Sequence, residues 1–116
     1  MNEPSTESAV HKAIIKHMAY RGIPGRFPVH INNTPRNGRH GRGLVEKGLV
    51  AGMPDLFYVV QGGGILFHEI KTKTGKLSTV QKGIHNLLKE MGHKVITTYG
   101  LDDAIAQLIE NDIMKG

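Results

Sequence analysis

Two apolar segments on either side of a glycine-rich turn restrict the folds open to this chain more than any other feature. Residues 55–60 and 65–71 are rich in β-branched and aromatic side chains, and three consecutive glycines lie between them. This pattern is typical of a β-hairpin. A three-residue loop over 61–63 pairs Asp55 with Glu69 on one face, whereas a loop of two or four residues places them on opposite faces. We predict the same-face pairing.

This hairpin brings two carboxylates and an ammonium group together. Glu69 and Lys71 lie two residues apart, so their side chains share one face of a strand, and the predicted pairing adds Asp55 to that face. Neighbouring carboxylates repel one another when ionised, and Mg²⁺ or Mn²⁺ relieves the repulsion because hard cations prefer oxygen ligands. The carbonyl of Ile70 is a further candidate ligand, and Lys71 can stabilise charge on a phosphate. We therefore predict metal-dependent hydrolysis of phosphodiesters.

The rest of the pattern predicts one α/β domain over residues 1–116, with helices around a mixed sheet. The predicted order is α-β-β-β-α-β-α, in which the last strand–helix–strand unit favours a parallel crossover. The elements outside the hairpin are a helix from Glu7, a strand over 27–32, a helix opened by Ser78 and Gln81, a strand over 94–99, and a helix capped by Asp102. In the second helix we expect an apolar stripe to lie in the core: Ile84, Leu87, Leu88 and Met91.

These motifs resemble the virus-type replication-repair nuclease (VRR-NUC) family of the PD-(D/E)XK nuclease superfamily. The resemblance rests on Gly-Met-Pro-Asp-Leu at 52–56, Phe-His-Glu-Ile-Lys at 67–71, Gly-Lys-Leu-Ser at 75–78, and Gln81. It extends over residues 5–100, nearly the whole chain. It implies a restriction-endonuclease-like αβββαβ core, in which helices flank a central mixed sheet.

The resemblance also implies roles for individual residues. Asp55 and Glu69 correspond to the metal-binding carboxylates of the family, and Lys71 corresponds to its catalytic lysine. Gln81 matches a family glutamine near the active site, although helix capping explains this residue equally well. Glu7 falls where these nucleases often place an acidic residue close to the metals, but a glutamate in the first turn also stabilises the helix dipole.

The expected partners follow from the same resemblance. Stand-alone members are mostly phage or prophage proteins that resemble Holliday-junction resolvases, which implies a homodimer acting on branched DNA. We expect a cytoplasmic protein of a bacterium or phage-infected cell, since the N-terminus lacks a signal-peptide pattern and no apolar run reaches the ~20 residues of a membrane span. Two alternatives stay open, namely a non-catalytic DNA-binding module and an RNA-directed nuclease on the same fold.

Basic residues supply a candidate DNA-binding surface. The formal net charge is +5, which favours an acidic partner such as nucleic acid. Four basic side chains cluster in a glycine-rich loop predicted over residues 33–53, and they are Arg36, Arg39, His40 and Arg42. Lys73 and Lys76 are further candidates for phosphate contacts, although a solvated face explains them equally well.

The histidines show no spacing typical of a metal site. Without such spacing, His11 and His17 are expected to be ordinary residues of the first helix. His68 is expected to point away from the face of Glu69 and to have a structural role.

The substitution Arg39→Ala tests the predicted loop contact. Contacts to phosphates carry no sequence information, so we expect DNA affinity to fall by a similar factor for every sequence and to depend less on salt. Titrating labelled duplexes of several sequences at several salt concentrations measures both effects. An affinity loss confined to one sequence would contradict a contact to the DNA backbone.

Overall fold

The protein is described here by a computed structural model that covers residues 3–32 and 46–116. Its helices and strands are α1 (Glu7–Arg21), β1 (Arg26–His30), β2 (Leu56–Val60), β3 (Gly64–Lys71), α2 (Thr79–Glu90), β4 (Lys94–Tyr99) and α3 (Leu101–Glu110). This order confirms the predicted sequence of elements. In the two described ranges, no helix has the length and apolar character that crossing a membrane requires.

Within these ranges the strands form one mixed sheet in the order β1-β2-β3-β4. The β1–β2 and β2–β3 pairs are antiparallel, and β3 runs parallel to β4. Val60 pairs with Gly64 and Leu56 pairs with His68. The connecting turn is therefore the three-residue turn over 61–63, and the predicted register is confirmed. Pro28 lies in β1 at the edge of the sheet, where its missing N–H costs no interior hydrogen bond.

Local hydrogen bonds fix the starts of the first two helices. The Thr6 side chain accepts a hydrogen bond from the Ala9 amide at 3.0 Å, and Glu7 occupies the first turn of α1. A capping box begins α2: the Gln81 amide donates to Ser78 Oγ at 3.1 Å, and the Ser78 amide donates to Gln81 Oε1 at 2.9 Å.

The start of α3 differs from the prediction. Gly100 is its N-cap residue, with a φ of 88° and no side-chain capping bond, while Asp102 lies in the first turn. The capping role predicted for Asp102 is therefore wrong. Asp103 instead accepts a hydrogen bond from the Tyr99 amide at 2.8 Å, which ties the start of α3 to the end of β4.

The main core lies where α1 and α3 pack on one face of the sheet. Its most deeply buried members are Val10, Ile14, Leu56, Tyr58, Ile70, Ala104, Leu108 and Met114. His68 is also buried on this face, opposite the face of Glu69, as expected for a structural residue. Its ring nitrogens lie 2.8 Å from Tyr58 Oη and 2.7 Å from Thr98 Oγ1, and burial lowers the pKa of His68 to about 3. A neutral imidazole with both nitrogens paired avoids the cost of an unsatisfied buried polar group.

The apolar stripe of α2 does not lie in the core as predicted. Leu88 is 8% exposed and Ile84 is half-buried, but Leu87 is 50% exposed and Met91 is 62% exposed. The prediction is wrong for Leu87 and Met91. The helix is rotated so that His85 points inward beside Leu88, and this inward position is occupied by a polar residue rather than an apolar one.

A pair of substitutions on α2 tests this orientation. Leu88→Ala removes buried apolar volume, and we expect it to lower the free energy of unfolding by about 2–4 kcal/mol. Leu87→Ala removes the same atoms from an exposed position, so the free energy should change by less than about 1 kcal/mol. Urea unfolding followed by circular dichroism measures both values. Equal losses for the two variants would contradict the orientation described here.

Candidate active site

Asp55 lies against the end of β3, beside the predicted catalytic residues. It directly precedes β2, and its Oδ2 atom accepts a hydrogen bond from the Ile70 amide at 2.6 Å. Ile70 lies between Glu69 and Lys71 in β3. The register of the hairpin thus brings the two acidic residues and Lys71 to one end of the sheet, as the sequence predicted.

Two side chains of α2 contact the carboxylate of Glu69. It is 1% exposed, its Oε1 atom lies 3.1 Å from His85 Nε2, and its Oε2 atom accepts a hydrogen bond from Gln81 Nε2 at 3.3 Å. The carboxyl group of Glu69 also shares a hydrogen bond with that of Asp55, so the two acidic side chains are in direct contact. Gln81 both caps α2 and contacts Glu69. The sequence left two explanations open for this residue, helix capping and a place near the active site, and the structure is consistent with both.

Lys71 lies close to the first turn of α1. It is 7% exposed, and its Nζ atom is 3.8 Å from Glu7 Oε2. The Glu7 side chain is half-exposed, so the ion pair stands at the boundary between the buried cluster and solvent. Glu7 therefore lies near the carboxylates, in the region where the family resemblance places it.

A cavity of about 280 Å³ opens beside Asp55. Its lining residues are Glu7, Ser8, His11, His30, Asp55 and Ile70. Three of these are predicted metal-site residues, whereas the buried Glu69 is not part of the lining. Of the four predicted metal-site residues, Glu7, Asp55 and Ile70 thus line the cavity, whereas Glu69 is covered.

The donors fit a hydrated cation better than a closed protein cage. Among residues 3–32 and 46–116, no group of three or more His, Cys, Asp or Glu side chains converges as a ready-made metal site. Mg²⁺ typically keeps several waters and uses only one or two carboxylates. The two neighbouring carboxylates of Asp55 and Glu69, with a backbone carbonyl at Ile70, match that requirement.

Burial and mutual repulsion change the protonation of the two carboxyl groups. Burial, with a smaller effect of the adjacent Glu69, raises the pKa of Asp55 from 3.8 to about 7, although the hydrogen bond from the Ile70 amide lowers it in part. Burial also raises the pKa of Glu69, against the effect of Asp55 and Lys71. The pair therefore retains a proton near neutral pH when no cation compensates its charge.

Three histidines around these carboxylates were not predicted as site residues. His85 contacts Glu69, and His11 and His30 line the cavity beside Asp55. Burial lowers the pKa of His11 and of His85, while the charge of Asp55 opposes both changes. The signal for two of them is helical spacing, because His85 lies one turn after Gln81 and His11 one turn after Glu7.

Of the predicted DNA-binding residues, the structure describes Lys73 and Lys76, and neither lines the cavity beside Asp55. Lys73 is exposed and forms an ion pair with Glu3, and Lys76 is exposed. Both remain compatible with a phosphate contact and with a solvated face. Arg36, Arg39, His40 and Arg42 lie outside the described residues.

Two solved structures have a similar fold. A protein named "VRR_NUC domain protein" aligns with a TM-score of 0.74 and 21% identity, covering 97% of this chain and 91% of that chain. A second, named "VRR_NUC domain", aligns with a TM-score of 0.62 and 21% identity, covering 92% of this chain and 97% of that chain. A scan against protein families and a search of curated proteins give no match. The structural likeness confirms, at the level of the fold, the VRR-NUC resemblance and the predicted α/β core.

The raised pKa of Asp55 predicts a pH-dependent stability. Between pH ~4 and ~7 the folded chain retains a proton that the unfolded chain releases, so in EDTA the free energy of unfolding should fall as pH rises. Asp55→Asn removes this titration, and its free energy should fall less between pH 5 and pH 8. Urea unfolding at both pH values measures the difference, with the exposed Asp102→Asn as control. Equal pH dependence in wild type and Asp55→Asn would contradict the prediction.

Proposed function

We propose that this chain, which has a VRR-NUC fold, is a Mg²⁺- or Mn²⁺-dependent endonuclease that hydrolyses phosphodiester bonds in DNA. The observation that carries the proposal is the packing of Asp55 against β3 beside the buried Glu69 and Lys71. Burying two adjacent carboxylates destabilises a fold unless a cation or proton offsets their charge. A functional requirement for these groups accounts for that cost.

The cation would be held by Asp55, Glu69 and the carbonyl of Ile70, with Glu7 at the rim of the cavity. When bound, it would supply Lewis-acid polarisation of a phosphoryl oxygen and a more acidic water. The direct contact between the Asp55 and Glu69 carboxyl groups and the cavity beside Asp55 support this assignment. The remaining tasks, which are stabilising charge on the phosphate and positioning Glu69, fall to side chains of the protein.

Lys71 supplies positive charge where the phosphate gains negative charge. Its ammonium group is a hydrogen-bond donor only, and its shielding from solvent strengthens its attraction for an anion. The carboxylate of Glu7, 3.8 Å from Lys71 Nζ, favours one position of the flexible lysine chain. We assign Lys71 to stabilising the transition state and assisting the attacking water.

Gln81 and His85 position Glu69. Each donates to, or pairs with, a different oxygen of the carboxylate, so its rotation is restricted from both sides. Hydrogen bonds of this kind orient the ligands of metal sites, and their loss typically lowers metal affinity or activity. The need to position Glu69 explains why the inward face of α2 carries the polar residues Gln81 and His85.

The proposed substrate is branched DNA, such as a Holliday junction, and the proposed active form is a homodimer. The basic net charge and the Arg36–Arg42 segment support a contact with the DNA backbone. Self-association is supported by an exposed apolar stripe on α2, formed by Val80, Leu87 and Met91 at helical spacing. These features favour recognition of shape and charge rather than of base sequence.

Glu69→Ala tests the catalytic assignment. We expect this variant to lose DNA cleavage while it retains most DNA affinity, because Glu69 is covered and contributes no surface charge. The measurement is cleavage of a labelled four-way DNA junction, a linear DNA duplex and a linear RNA duplex, each with Mg²⁺, Mn²⁺ or EDTA. Glu69→Gln, which preserves side-chain volume, controls for misfolding, and the exposed Glu90→Ala controls for charge on α2.

Each result of this assay has a defined meaning. Wild-type cleavage by Glu69→Ala would refute the metal-site assignment. If the wild-type protein binds DNA but cleaves it under none of the metal conditions, it is a DNA-binding module that retains the nuclease fold. Equal cleavage of the junction and the linear duplex would refute the preference for branched DNA, and faster cleavage of RNA would indicate an RNA-directed nuclease.

A further inference from the structure

A second cavity adjoins the candidate active site. Its volume is about 390 Å³, and its lining residues are Ser8, His11, Lys12, Ile15 and His30. Ser8, His11 and His30 also line the cavity that contains Asp55. The two cavities are therefore contiguous along one wall. The volume lies within the range of about 300–1,000 Å³ that is typical of small-molecule sites.

The wall common to the two cavities carries two imidazole rings. His11 lies on α1 and His30 ends β1, and their ring centroids are 5.2 Å apart with the planes inclined by 47°. Ile15, one turn after His11, adds exposed apolar surface, and the exposed Lys12 adds an ammonium group. A planar base stacks on aromatic rings, including imidazole, and its phosphate pairs with a cation. The lining provides both kinds of contact.

We propose that this second cavity receives the unpaired base of a nucleotide adjoining the scissile phosphate. The base would stack on the imidazole of His30 or His11, with Ile15 against its edge and Lys12 near a phosphate. The inference rests on the proposed nuclease function and specifies its substrate, which must offer an unstacked nucleotide beside the cleavage position. A base inside an intact duplex cannot enter a cavity of this kind without leaving the stack.

The lining disfavours other occupants. A free anion would use Lys12 but gain nothing from Ile15 or from the faces of the imidazole rings. A purely apolar ligand would leave Lys12 and Ser8 without a role. A hard divalent cation is disfavoured because the described residues that line this cavity include no carboxylate and do include the ammonium group of Lys12. The wall common to this cavity and the cavity of Asp55 suits an occupant that extends into both, as a nucleotide and its adjoining phosphate would.

The test measures DNA binding in EDTA, so that cleavage plays no part. The probes are a duplex with a one-nucleotide bulge and the matched duplex without it, each labelled with fluorescein and followed by anisotropy. We expect wild type to bind the bulged duplex at least about fivefold more tightly, the lower end of the gain from stacking one base on an aromatic ring. In His30→Ala this preference should disappear, while affinity for the matched duplex is retained.

Two further variants separate stacking from folding. His30→Phe keeps an aromatic face without ring nitrogens, and we expect it to retain the preference for the bulge. His17→Ala removes an imidazole of α1 that lines neither cavity, and the preference should be unchanged. Thermal unfolding of each variant shows whether the fold is intact. 2-Aminopurine at the bulged position provides a second readout, because its fluorescence should be quenched on binding to wild type and not to His30→Ala.

The results separate this inference from the proposed function. Equal binding of both probes by wild type would overturn the inference, and so would a preference for the bulge that survives in folded His30→Ala. Neither result affects cleavage by wild type in Mg²⁺ or its loss in Glu69→Ala. Conversely, a preference lost in His30→Ala and restored in His30→Phe supports the subsite even if no metal promotes cleavage.

Discussion

The hydrogen bond from the Ile70 amide to the Asp55 carboxylate is the contact on which the site depends. It joins the residue before β2 to the end of β3, and it forms because the turn over 61–63 contains three residues. A turn one residue longer or shorter would shift the register and send Asp55 to the other face of the sheet. A local property of the chain, the length of one turn, therefore determines whether the two carboxylates meet.

The buried carboxylates in turn explain the orientation of α2. Burial of Glu69 requires donors, and His85 and Gln81 supply them from the inward face of this helix. Among the described residues, no buried side-chain nitrogen or oxygen lacks a hydrogen-bond partner. Satisfying Glu69 therefore takes precedence over burying Leu87, since an unsatisfied buried charge costs more than one exposed leucine.

Features that depend on neighbouring residues could be predicted from the sequence. The register, the capping box of α2 and the approach of Asp55 to Glu69 follow from turn length, short-range motifs and side-chain alternation, all of which are local. The outward stripe of α2 could not be predicted, because helical periodicity assigns the apolar side to the core and does not count the donors that a buried acid needs. Asp102 failed as a cap because α3 begins earlier, with Gly100 and its positive φ as the N-cap residue directly after β4.

The two contiguous cavities depend on α1, whose position follows from its core residues. Val10 and Ile14 are fully buried against the sheet, and this fixes the rotation of the helix about its axis. His11 and Ile15 each follow a core residue by one position, so they lie along one flank of the buried stripe, beside His30 at the edge of the sheet. The hydrophobic packing that stabilises the fold thereby also sets the geometry of the second cavity. A substitution that rotates α1 would move several lining residues of both cavities together, whereas a change at His30 alters the wall common to the two cavities through one side chain.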